Sequence, residues 1–120
     1  MRENRDHEYL ILLEQFLSYL KVEKAVSINT VNSYGSDLRH FFEFLFSKEI
    51  NTLNLIKREH ILQYCEERTA ENVAAKSLHR FISSIRRFFW FLQKENKLTI
   101  NPAFDIVLPK VEKKLPKYIK

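Results

Sequence analysis

The chain has 120 residues, 45% of them hydrophobic and 29% charged, with a formal net charge of +5. That length makes one domain, with a core large enough to need no disulfide or structural metal. The lone cysteine, Cys65, excludes a disulfide framework and cysteine zinc fingers. No apolar run approaches the roughly 18 residues that cross a membrane, and the charged opening MRENRDHEYL lacks a signal-peptide core. Membrane insertion and secretion are not expected. Gly35 is the one glycine, and all three prolines lie beyond residue 100. Glycine-dependent phosphate loops are thereby excluded and hairpin-rich β folds disfavoured. The expectation is an all-α bundle of four helices, with a short fifth helical turn and an extended basic tail.

The first helix is expected from about Asp6 to Lys24. Tyr9, Leu13, Phe16 and Leu20 recur at helical spacing, and Leu10, Leu12 and Leu17 widen the stripe. The second runs from about Asn29 to Lys48, with Ser27 or Asn29 offering an oxygen to the free N–H groups of its first turn. Val31, Tyr34, Leu38, Phe41, Phe42 and Leu45 form one apolar face. The opposite face carries Asn29, Asn32, Ser33, Ser36, His40 and Glu43. Gly35 lies near the edge of the apolar face, where close helix packing is the reason to expect it.

The third helix is shorter, about Arg58 to Arg68, with no capping residue ahead of it. Ile61, Leu62, Tyr64 and Cys65 give its apolar side, and Leu53, Leu55 and Ile56 are expected beneath it. The fourth runs from about Ala74 to Lys94, with Asn72 as its expected cap. Leu78, Phe81, Ile82, Ile85, Phe88, Phe89 and Leu92 share its apolar face. Lys76, Arg80, Ser83 and Arg87 lie opposite, flanked by His79 and Trp90, with Arg86 at the border. Asn101-Pro102-Ala103 then reads as the start of a helical turn. Two Leu-Pro pairs and five lysines from Leu108 to Lys120 read as an extended linker.

Charge divides the chain. From residue 1 to 71, 9 Lys and Arg stand against 12 Asp and Glu; from 72 to 120, 11 stand against 3. No acidic residue occurs from Asn72 to Lys94. An ordinary solvated helix mixes signs, because Glu–Lys pairs stabilise it. A face of long cations with hydroxyls between them suits phosphates and base edges. The small polar residues of the second helix let a backbone approach a duplex closely. Arg80 and Arg87 lie about 140° and 160° from the centre of the apolar stripe. Both are expected to stand free in solvent, so that alanine at either leaves folding within about 0.5 kcal/mol. His7, His40, His60 and His79 show no metal-ligand spacing, and neither a metal nor any other cofactor is expected.

Three segments carry a family resemblance. Ser27-Ile28-Asn29-Thr30 through Tyr34 to Asp37-Leu38 resembles the S-x-N-T-x-x-x-Y-x-x-D-L opening of the second helix in tyrosine recombinases. Arg80-Phe81-Ile82-Ser83-Ser84-Ile85-Arg86-Arg87-Phe88-Phe89 is similar to that family's R-x-x-S-x-x-R-x-F-[FY] helix. Asn101-Pro102-Ala103, Leu108-Pro109-Lys110 and Leu115-Pro116-Lys117 resemble its exit toward a catalytic domain. Within that family the segments resemble those of Xer-type recombinases and of phage or transposon integrases. The resemblance implies a SAM-like core-binding domain over 1–107 and a linker over 108–120. It implies a clamp on duplex DNA through Thr30, Asn32, Ser33, Ser36 and His40 of the second helix. Lys76, His79, Arg80, Ser83, Arg86 and Arg87 of the fourth would join them, with Lys110 as a phosphate contact. It implies a tyrosine nucleophile in a domain beyond Lys120, so no catalytic residue and no cleavage in this chain. The expected partners are duplex DNA and, at full length, other recombinase protomers in a synapse. The isolated domain is expected to be monomeric, in the cytoplasm with the nucleoid. A free-standing DNA-binding regulator and a helical adaptor are the alternative readings.

Overall fold

The computed structural model describes the backbone of residues 2–107 and the side chains of residues 8–107. Lys110 and the rest of the expected linker lie outside the described residues. Four helices follow in order: α1 (Arg2–Val22), α2 (Ile28–Ser47), α3 (Arg58–Ala70) and α4 (Ala75–Lys94). A 3-10 turn at Leu53–Leu55 precedes α3, and no strand occurs among the described residues. The all-α architecture is the one expected. α2 lies between α1 and α4, and α3 closes the bundle against α4 and α2.

Each helix start has a local cause. The Ser27 hydroxyl accepts the Thr30 N–H at 3.2 Å and caps α2. α3 solves its missing cap from inside: Nδ1 of His60 accepts the Lys57 N–H at 2.9 Å. Asn72 does not cap α4. It ends α3 instead, at φ 62°, and Ala74 precedes α4 with no side-chain oxygen to offer.

The stops are uniform. α2, α3 and α4 each end in a left-handed residue, Glu49, Asn72 and Asn96, at φ 62°, 62° and 61°. The next N–H reaches back to close the helix: Ile50 to the Leu45 carbonyl at 2.9 Å, Val73 to Arg68 at 3.3 Å, Lys97 to Leu92 at 2.8 Å. This is the Schellman arrangement, usually built on glycine. Asparagine tolerates the left-handed conformation because its short side chain bonds locally. α1 ends at Val22, two residues short of the expected Lys24, and the chain turns at Ala25, φ 51°.

The core is aromatic. Tyr9 stacks on Phe42 with ring centroids 4.9 Å apart, and its hydroxyl donates to the Ile50 carbonyl at 3.1 Å. Phe88 meets Phe16 edge-on at 5.5 Å, and Phe41 meets Tyr64 at 5.2 Å. Such contacts add about 0.5–1.5 kcal/mol each beyond burial. Gly35 is buried where expected: a Cβ there would stand 3.2 Å from Leu17 Cδ1 and 3.1 Å from Arg39 Nη1.

Three apolar expectations need correction. Leu10, Leu55 and Leu62 are exposed rather than buried. Leu10 and Leu62 each follow a buried residue, Tyr9 and Ile61, and a step of about 100° turns them off the packed face. Leu53 and Ile56 are three residues apart and share the inner side of a 3-10 turn, which sends Leu55 outward. The fifth helical turn is a hydrogen-bonded turn. Asn101 Oδ1 accepts the Ala103 N–H at 2.8 Å, and Phe104 N–H donates to the Asn101 carbonyl at 3.1 Å. So short a segment gains too few bonds to propagate a helix. It still buries Ala103 and Ile106 against the bundle.

Candidate nucleic-acid interface

The polar residues of α2 and α4 meet along a seam. Tyr34 and Asp37 form the α2 side, and Arg80 and Arg87 form the α4 side. Asp37 is 1% exposed at its side chain. Arg80 grips it with both prongs: Nε donates to Oδ2 at 2.9 Å and Nη2 to Oδ1 at 2.8 Å. The Arg80 guanidinium also lies 5.5 Å from the Phe81 ring centre. The Asp37 hydrogen bond raises the Arg80 pKa above its ordinary value, so the guanidinium is always charged. Arg80 keeps 44% of its side chain in solvent. It is exposed as expected, yet it is not free, and the expectation that alanine there is silent in folding does not stand.

Arg87, one to two turns along, rests over the Tyr34 ring at 5.8 Å. Ser33 is half-buried at the outer lip of the seam, and Ser36 and His40 are exposed beside it. Asn32 is exposed, but helical stepping puts it on the side of α2 away from Asp37. Thr30 is half-buried, and its hydroxyl accepts from Ser27 at 3.1 Å within the α2 cap. Lys76 is exposed one turn before Arg80, and His79 is half-buried.

The other edge of α4 borders a groove of about 990 Å³. Ser83, Arg86, Arg87 and Trp90 form one wall; Tyr19, Lys24 and Phe104 stand across from them. Arg87 thus belongs to both seam and groove, while Arg86 serves only the groove. The result is a continuous cationic surface along α4 with aromatic edges. Among the described residues, no three His, Cys, Asp or Glu side chains gather to hold a metal. Among them, too, no helix is long and apolar enough to cross a membrane.

The family model for the phage integrase N-terminal SAM-like domain matches residues 13–96. The chain belongs to that family. It is 34% identical over 109 residues to tyrosine recombinase XerD of Listeria monocytogenes, covering 90% of this chain and 37% of the relative. It is 39% identical over 111 residues to tyrosine recombinase XerC of Rickettsia prowazekii, covering 88% and 36%. The chain therefore spans little more than a third of these relatives. No solved structure matches it significantly. The resemblance read from the three sequence segments is borne out.

Two features of this SAM-like domain escape sequence reading. Asp37 is the first. It is the sole acid between Glu23 and Glu43 and sits at the border of the apolar arc. That position hints at a buried charge, but not at Arg80. The second is the far wall of the groove, which draws Lys24 and Phe104 from segments with no periodic link to α4.

Proposed function

We propose that this SAM-like domain binds duplex DNA through α4 and the adjoining lip of α2, as the DNA-gripping arm of a tyrosine recombinase. The observation that carries the reading is the α4 surface. Lys76, Arg86 and Arg87 are exposed on it, Arg80 is half-exposed, and no acid lies on that helix. Phosphates pay for most non-specific affinity, and cations in a row along one helix match a phosphate strand. Ser33, Ser36, His40, His79 and Ser83 are of a size and polarity to bond sugar, phosphate or base edges. Asn32 and Thr30 serve at the periphery of the same face, and Lys110 adds a phosphate contact from the segment that follows.

By itself the chain binds without cutting, because the family resemblance puts the tyrosine nucleophile outside the SAM-like domain. The parent protein breaks and rejoins DNA strands through a tyrosine elsewhere, and its protomers meet on DNA in a synapse. The isolated chain is monomeric, and the protein works in the cytoplasm on the nucleoid.

The test is affinity for a 30-base-pair duplex across a salt series. Log affinity should fall with log salt at about −0.9 per phosphate neutralised. A flat response, or no binding at low salt, refutes the reading. A denaturing gel after incubation with nicked duplex should show no protein–DNA adduct.

A further inference from the structure

We propose that Asp37 is a positioning residue, which holds Arg80 across the seam so that the free edge of the guanidinium faces a DNA phosphate. This rests on the DNA-binding reading above. The geometry separates two edges of Arg80. Nε and Nη2 are spent on a carboxylate that is 1% exposed, at 2.9 and 2.8 Å. Nη1 makes no hydrogen bond among the described residues, and 44% of the side chain is in solvent. The buried carboxylate fixes the inner edge, so the exposed part is the outer one.

A long, free arginine loses rotamer freedom when it grips a ligand. Arg80 has already lost it to Asp37 and to the Phe81 ring at 5.5 Å. Its outer donors are therefore preorganised. The fork is also too strong to be an idle surface pair: both bonds are charge-assisted and short. Among the described residues, Lys76 and Arg87 have no such anchor on a carboxylate.

The sign of one substitution separates positioning from simple electrostatics. Asp37→Asn removes a negative charge beside a polyanion, which by Coulomb's law alone strengthens DNA binding. If Asp37 positions Arg80, the same change weakens binding, by about tenfold for a lost charge-assisted contact. The second variant, Asp37→Leu with Arg80→Met, leaves net charge unchanged and no buried charge unpaired. It should fold like the parent, bind about tenfold more weakly, and flatten the salt slope by about 0.9.

Both variants of the 120-residue chain are titrated with the 30-base-pair duplex after circular dichroism confirms folding. If Asp37→Asn fails to fold, Asp37→Glu carries the test: it keeps the charge but displaces the carboxylate, so weaker binding supports positioning and binding like the parent overturns it. A double variant that binds like the parent, while Lys76→Ala and Arg87→Ala weaken binding, overturns this proposal alone: the pair is then only a staple between helices. A parent that does not bind DNA overturns the DNA-binding reading, and this inference with it.

Discussion

Arg80→Ala should destabilise the domain, although Arg80 sits on an exposed helix face. The substitution removes two charge-assisted hydrogen bonds, at 2.9 and 2.8 Å, from a carboxylate that is 1% exposed. Bonds to charged groups contribute about 1.5–3 kcal/mol each, and breaking a fully buried pair costs about 3–5 kcal/mol. Arg80 itself is 44% exposed, so water enters the vacated space and screens Asp37. Discounted for that, the loss should be about 2–3 kcal/mol. For a domain of this size the melting temperature should drop by about 10 °C or more. Arg87→Ala is the control. Among the described residues it gives up a cation–π contact, at 5.8 Å on Tyr34, and no ion pair, and should cost less than about 1 kcal/mol. Thermal and urea melts of the two variants, at one pH and salt, decide the matter. Equal melting temperatures would refute the claim that the Asp37 pair is structural.

Ile85→Ala, at 1% exposure in the centre of the α4 stripe, should cost about 2–5 kcal/mol through the cavity it leaves; urea melts measure it, and its DNA affinity should fall only as the unfolded fraction rises. Gly35→Val should cost about 1–3 kcal/mol by overpacking, because even a Cβ would lie 3.2 Å from Leu17; a melting temperature at or above the parent's would contradict the tight α1–α2 contact. Burial pushes the Cys65 thiol up to about 11 and the Tyr64 hydroxyl up to about 12. Both hold their protons more tightly in the folded state, so stability is fully present below about pH 9 and should fall as pH climbs toward 11–12. Melting curves from pH 7 to 11.5 test this, and a flat profile would count against it. Iodoacetamide should label Cys65 slowly at pH 8 in the native state and readily in urea.

Helical period was enough to find all four helices, since buried positions such as Leu38, Phe41 and Leu45 repeat along one face wherever a helix packs on neighbours. It was weaker at the edges of that face. Leu10 and Leu62 are apolar but turned outward, and composition cannot distinguish them from Leu12 or Tyr64. Ser27 was legible as a cap because its role is local. Asn72 is ambiguous in sequence because asparagine serves both helix starts and left-handed stops, and only the chain's path selects between them. The cationic face of α4 was legible for the same reason as its apolar face. Its anchor was not: Asp37 and Arg80 are 43 residues apart, and no spacing rule pairs them.

The helix stops have a practical consequence. Each closes within six residues through its own backbone bonds, so a helix ends where it does regardless of what the next connection contains. After α2 the last bond of the stop belongs to Ile50, and the next belongs to the Thr52 carbonyl, which accepts from Leu55 at 3.1 Å. Among the described residues, the peptide between Asn51 and Thr52 therefore has no hydrogen-bond partner to lose. A flexible insert of eight Gly and Ser residues there should cost only about 1–2 kcal/mol of loop closure. It lies at the C-terminal end of α2, past the seam residues Tyr34 and Asp37. A fluorophore or affinity handle carried on such an insert would report on the domain while leaving Lys76, Arg80 and Arg87 unencumbered.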